Sequence, residues 1–303
     1  MIENKRLKMH PDGPEFSTLS AGFWRLYEWD MATSNLIDFI ETALELGITT
    51  FDHADIYGAY TNEATFGKAL AERPDLREQM ELVSKCGICL VTDNRPEHRI
   101  QHYNTTAEHI RKSVEASLKN LRTEYLDLVL IHRPDPLMDA SEMADIFMTL
   151  IDEGKIRHMG VSNFTPSQFD LFQSKLDVPL ITNQVECSLL HTDPIFDGTF
   201  DQAQKYNASP MIWSPFAGGG LFTGNTPQAQ RVRSALDEMT KKYDTTSDQI
   251  ALAWLLALPC KPQPVLGTGK KERLISASGA LELNLDRQDW FSLLEASKGD
   301  PVP

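Results

Sequence analysis

The sequence predicts an α/β fold, a (β/α)8 TIM barrel with a short N-terminal β-hairpin, as one domain over 1–303. Three observations carry this. Eight short β-branched or apolar runs alternate with longer amphipathic stretches, the rhythm of a parallel sheet with crossover helices. A chain of 303 residues is long enough for eight such units in one domain. The fingerprint of the doubly wound alternative is missing: no GxGxxG follows a strand, and the glycines at 218–220 come late and lack the spacing.

The elements follow in order. Residues 2–16 read as a hairpin, with Pro11, Asp12 and Gly13 as the turn. Strand-like runs then occupy 18–22, 49–52, 81–84, 126–131, 157–161, 180–185, 210–213 and 263–266. A helical pattern over 34–46 closes on Gly47, a C-terminal stop signal. The stretch 106–120 places Ile110, Val114 and Leu118 on one face, and 141–153 closes on Gly154. Thr165 and Pro166 open the next helix as N-cap and first position. Further helices are expected over 246–258 and around 290–296.

Composition narrows the function. Apolar residues are 41% and charged residues 24%, enough for a sizeable core and against disorder. A formal charge of −14 repels phosphate backbones and anionic membranes, so neither nucleic acid nor membrane is an expected partner. The N-terminus has no apolar segment of a secretory signal, and the most apolar stretch, 250–260, is too short to span a bilayer. The expectation is a cytoplasmic protein, monomeric or weakly homo-oligomeric. Cys86 and Cys89 form one CxxC, without a second Cys or His pair at zinc spacing; strand-end thiols are preferred to a redox pair.

Chemistry in a TIM barrel sits at the C-terminal ends of the strands. Those ends carry Trp24, Asp52, Lys85, His132, Ser162, Asn163, Gln184, Trp213, Ser214, Gly267, Thr268 and Gly269. Singly, each has a structural explanation: Asp52 could cap a helix, Lys85 could face solvent, His132 could sit in a turn. Their convergence on one mouth outweighs those explanations.

The segments FDHADIYG (51–58), LVSKCG (82–87), LVLIHRPDP (128–136), IRHMGVSNF (156–164), TNQVECSLL (182–190), WSPFAGGGLF (213–222) and GTGKKERL (267–274) resemble the aldo-keto reductase superfamily over nearly the whole chain. The likeness is greatest to uncharacterised bacterial oxidoreductases within it. The resemblance implies an NADPH-dependent reductase of aldehydes or ketones, with a small-molecule carbonyl substrate. It makes Tyr57 the general acid, Lys85 and Asp52 its tuning pair, and His132 the group that orients the carbonyl. Ser162, Asn163 and Gln184 match nicotinamide contacts, and Trp213 stands where relatives stack a tyrosine. Ser214, Phe216 and the glycines at 218–220 match the pyrophosphate-covering segment. Gly267, Thr268, Lys270 and Arg273 fall in the segment that holds the 2′-phosphate. Gly269, where many relatives have a basic residue, and Ser276 and Ala277, where many have Glu and Asn, depart from the pattern, so NADH is also admitted.

The chemistry explains the residue types. Hydride addition builds negative charge on the carbonyl oxygen, and a proton must arrive there. A buried ammonium at Lys85 beside Tyr57 favours phenolate and is expected to lower the tyrosine pKa. Asp52 supplies the counter-charge that burying Lys85 requires. His132 can donate to the same oxygen. A 2′-phosphate calls for Lys or Arg, and Lys270, Lys271 and Arg273 cluster there. Phe23 and Trp24 are expected as aromatic walls of the substrate pocket. Residues 87–103 read as a long loop over the mouth, with Arg99 and His102 available to an acidic group. The C-terminus stops soon after the last helix, so a long specificity tail is not expected. A metal-dependent hydrolase is disfavoured, because the later strand ends hold Asn163, Gln184 and Trp213 rather than further ligands. The remaining alternative is an NADPH-binding regulatory protein on the same fold, with little turnover.

Overall fold

The computed structural model describes residues 6–301; the first residues of the predicted hairpin, 2–5, lie outside them. Strands β1 (Arg6–Lys8) and β2 (Glu15–Ser17) pair antiparallel, with Leu7 opposite Phe16. The chain then lays down β3 (Ser20–Gly22), β4 (Thr50–Asp52) and β5 (Glu81–Cys86). A two-residue pair follows, β6 (Ile88–Cys89) and β7 (His102–Tyr103). The rest are β8 (Leu126–Ile131), β9 (Ile156–Ser162), β10 (Asn183–Glu186), β11 (Met211–Trp213) and β12 (Gln263–Leu266). Strands β3, β4, β5, β8, β9, β10, β11 and β12 close a parallel barrel, β12 pairing with β3. The (β/α)8 expectation holds, and with it the hairpin, which plugs the barrel floor. Leu7, Met9 and Phe16 pack there against Val83, Leu128, Leu130, Ile181, Met211 and Val265.

Alternation along each strand decides what reaches the mouth. Val83 faces the interior core, so Lys85, two residues on, also points inward at the upper end. Leu128 and Leu130 do the same, which aims His132 at the same space. Register aligns these ends: Gly22 lies opposite Asp52, Asp52 opposite Val83, and Lys85 opposite Leu130.

The helices fill the gaps for local reasons. Thr106 accepts from the His109 N–H and caps the helix Ala107–Leu121, whose buried face is Ile110, Val114 and Leu118. Asp139 caps Ala140–Asp152, and Thr165 forms a capping box with Gln168 at the start of Pro166–Gln173. Gly47 and Gly154, the predicted stops, both take φ +71°. The segment 87–103 is not wholly loop: β6 and β7 pair antiparallel at its base. Among the described residues no helix is long and apolar enough to cross a membrane.

Candidate active site

Lys85 is the centre of the site and is 1% exposed. Its Nζ donates to Asp52 Oδ1 at 2.8 Å, Asp52 Oδ2 at 2.7 Å, the His53 carbonyl at 2.7 Å and Tyr57 Oη at 3.2 Å. An ammonium has three protons, so four acceptors leave none of them unpaired. Burial alone would pull the Lys85 pKa down, but Asp52 and Tyr57 outweigh it and the net direction is up. Lys85 is therefore a fixed charge and not a free amine.

Tyr57 opens a tight turn in which Gly58, Ala59 and Tyr60 all have positive φ. That strained path brings the phenol back over β5. Burial raises the Tyr57 pKa, Lys85 opposes, Asp52 adds to the rise, and the net shift is upward. Lys85 does pull the Tyr57 pKa down, as expected, but desolvation of the phenolate is larger than the ammonium's pull and the net direction is up. The His132 ring stands 5.9 Å from the Tyr57 ring at 76°, and its buried Nδ1 has no hydrogen-bond partner among the described residues. Burial, then Lys85 and Arg133, hold His132 well below the usual histidine range, so the ring is neutral.

A second group lines the same mouth. Ser162 Oγ donates to the Gln184 carbonyl at 2.8 Å and accepts from Asn163 Nδ2 at 2.8 Å. Asn163, at φ +59°, also reaches the His132 carbonyl at 3.3 Å, and its Oδ1 accepts from Trp213 Nε1 at 3.0 Å. Gln184 Nε2 donates to Asp52 Oδ1 at 2.9 Å, a link between the two groups that the sequence did not suggest. Beyond Trp213, Ser214 and Ala217 take positive φ, as do Gly218 and Gly219, and Phe216 packs against Phe222. Arg25, missed in the sequence, crosses to the Gly218 carbonyl at 3.4 Å, its guanidinium lying 5.2 Å over the Trp24 ring.

The last loop is open. A Cβ on Gly267 would touch nothing within 4 Å, and Thr268 Oγ1 accepts from the Lys270 N–H. Lys270 and Arg273 are exposed and enter no ion pair among the described residues, whereas Lys271 is bound to Asp38. Gly269 departs from the family pattern for a visible reason: a Cβ there would lie 2.6 Å from the Trp29 ring. Ala277 is buried and packs in the main apolar core.

Phe23 is a correction. It is fully buried, stacked on His53 at 4.8 Å and edge-on to Phe66 and Phe39. Gly22 ends its strand facing Val265 inside the barrel, so the next residue faces the helices and belongs to the core. Trp24, by contrast, is 55% exposed. Both carbonyls are held by Asn62 Nδ2, at 2.9 and 3.0 Å.

The 87–103 segment is tied to the Tyr57 turn: Leu90 N–H donates to Tyr60 Oη, Asn94 to the Ala59 carbonyl, and Arg95 lies 4.2 Å over the Tyr60 ring. Arg99 and His102 line a cavity of about 480 Å³ with Cys89, His98 and His109; none of Asp52, Tyr57, Lys85 and His132 lines it. Another of about 300 Å³, lined in part by Leu7, Pro262 and Leu285, also lacks them. Burial pushes the Cys89 thiol up to about 11 and Cys86 well above its usual value, so neither is a thiolate at neutral pH. Among the described residues no cluster of three or more His, Cys, Asp or Glu is arranged to hold a metal ion.

A closed eight-stranded barrel with this polar mouth is the frame of a barrel oxidoreductase, and the comparisons agree. Residues 18–298 match the family model described as Aldo/keto reductase family. The chain is similar to oxidoreductase YdhF of Escherichia coli, 51% identical over 99% of each chain. It is also similar to a 6-dehydroglucose reductase of Agrobacterium fabrum, 44% identical over 96% of this chain and 97% of the relative. Among solved structures, a thermostable aldo-keto reductase in complex with the inhibitor epalrestat superposes with a TM-score of 0.81 at 27% identity, over 96% of this chain and 99% of that one. The chain belongs to the aldo/keto reductase family and is an oxidoreductase of that family.

Proposed function

We propose that this protein reduces aldehyde or ketone carbonyls to alcohols with NADPH, Tyr57 acting as the general acid. The observation that carries the reading is the buried contact of Lys85 Nζ with both Asp52 oxygens and Tyr57 Oη. It places a protonated phenol beside a permanent positive charge, which suits a group that must give up its proton as charge builds on a neighbouring oxygen. Neutral His132 faces the Tyr57 ring and can donate one hydrogen bond to that oxygen. Asp52 keeps the Lys85 charge in place and takes no proton from the substrate.

The residues present suit a phosphorylated dinucleotide. Gly267 leaves open space, Ser214, Ala217, Gly218 and Gly219 turn the backbone with positive φ, and Lys270 and Arg273 are exposed cations with no ion pair among the described residues. The cofactor, when bound, supplies the hydride. Trp213, Ser162 and Gln184 would orient its nicotinamide end, and Thr268, Lys270 and Arg273 would hold its adenosine end. Trp24, Arg25 and Arg133 give the mouth an aromatic face and two guanidinium groups, suited to a small polar carbonyl compound. A relative named a 6-dehydroglucose reductase supports including sugar aldehydes among the substrates.

The test is a carbonyl panel of sugar aldehydes, dicarbonyls and quinones, followed by NADPH and NADH absorbance. Carbonyl-dependent oxidation of NADPH supports the reading; NADPH binding with no turnover on any carbonyl class would count against it.

A further inference from the structure

Gln184 has a second task beyond any contact with the cofactor. Its side chain comes from β10, 132 positions along the chain from Asp52, and is 2% exposed. Nε2 donates to Asp52 Oδ1 at 2.9 Å and makes its other contact with Met211 Sδ at 3.6 Å. The amide orientation is forced. A carboxylate only accepts, so the reverse orientation would set the Gln184 oxygen against the Asp52 oxygen. Both amide protons therefore face the barrel interior, and Oε1, which makes no hydrogen bond among the described residues, is the only polar atom Gln184 can offer to a bound molecule.

We infer that Gln184 is a positioning residue of the proton-donating cluster, fixing Asp52 and, through it, Lys85 and Tyr57. The inference rests on the reading of Tyr57 as proton donor. Asp52 Oδ1 accepts from Lys85 and Gln184, and Oδ2 accepts from Lys85 alone. The Gln184 dipole offsets part of the Asp52 charge, and the Lys85 ammonium then acts more fully on the phenol. Without that dipole, more of the Asp52 charge is felt at Tyr57, and phenolate is harder to form. Gln184 is thus two-sided: its donors serve the acid cluster, and its acceptor serves the cofactor side. Trp213 and Asn163 continue the same arrangement. The Trp213 N–H takes Asn163 Oδ1, and the Asn163 amide nitrogen braces Ser162 and the His132 carbonyl.

The experiment compares wild type, Gln184→Met and Gln184→Glu in alcohol oxidation, which needs Tyr57 as phenolate, so that the rise of kcat/KM with pH reports its pKa. NADPH affinity is measured separately by fluorescence titration. Gln184→Met keeps the volume and loses the donors; its limb is expected to move up by about half a pH unit or more, a threefold or larger loss on the rising limb. Gln184→Glu, ionised at alkaline pH, is expected to move it further in the same direction. Where Gln184→Met does not fold, Gln184→Glu, which keeps size and polarity, decides. A limb that stays in place or moves down, whatever happens to NADPH affinity, overturns the role. Failure of the underlying reading looks different: Tyr57→Phe would then keep the wild-type limb.

Discussion

On one side of the barrel mouth, Lys85 donates to both Asp52 and Tyr57 and is 1% exposed. On the other side, Lys270 and Arg273 are exposed beside Gly267, where an added Cβ would meet nothing within 4 Å among the described residues. The first side comes from β4, β5 and β8, whose inward residues stack in register; the second comes from loops after β11 and β12. The difference teaches that the proton-handling side is finished by folding. The side proposed to hold the dinucleotide leaves Lys270 and Arg273 without an ion pair among the described residues. Removing a residue from the first side should therefore cost stability and chemistry together. Removing the side chain of Lys270 or Arg273 from the second should cost binding alone.

Lys85→Met tests the first half most severely. It leaves the Asp52 carboxylate buried with Gln184 as its remaining side-chain donor, which should cost about 3–5 kcal/mol in a denaturant titration, with turnover lost. A variant of wild-type stability would show that Lys85 is not a buried counter-charge. Phe23→Ala comes next. Because Phe23 is core and not pocket wall, the expected loss is about 3 kcal/mol of stability, with KM unchanged in the folded enzyme. A large KM change at unchanged stability would return Phe23 to the pocket.

Smaller effects sharpen the second half. Gly269→Ala puts a methyl 2.6 Å from the Trp29 ring, and about 1–3 kcal/mol of strain is expected, read as a lowered Tm. Arg273→Ala should weaken NADPH about tenfold and NADH less than about twofold, by fluorescence titration, with little change in Tm. Equal weakening of both cofactors would remove the 2′-phosphate role. Carbonyl reduction should vary least with pH. Tyr57 must be protonated to donate, and burial holds its pKa above the usual 10.0. The donor is therefore protonated across the neutral range and falls away only above it. Neutral His132 titrates only well below 6.5, so kcat should be flat from about pH 7 to about pH 9.

Much of the first side was legible because alternation carries position. Leu128 and Leu130 are apolar and inward, and His132 falls two residues later in phase. Lys85 follows Val83 in the same way. The same rule, applied with care, would have placed Phe23 outside the barrel, since Gly22 is the inward residue there. Burial was not legible. The sequence gives the charges around Tyr57 but not the loss of water, and that loss reverses the expected direction of its pKa. Long-range pairs were hidden too. Gln184 reaches Asp52 only because the barrel closes, and Trp29 reaches Gly269 only because β3 lies beside β12. In the 87–103 segment, polar residues disguised the short β6–β7 pairing at the base.

The central claim is that Tyr57 gives the proton while other residues hold the cofactor. It is tested most directly by measuring carbonyl turnover and NADPH affinity on the same sample of Tyr57→Phe. The account predicts turnover reduced by roughly a hundredfold or more, with NADPH affinity within about threefold of wild type. Turnover at the wild-type rate would contradict it.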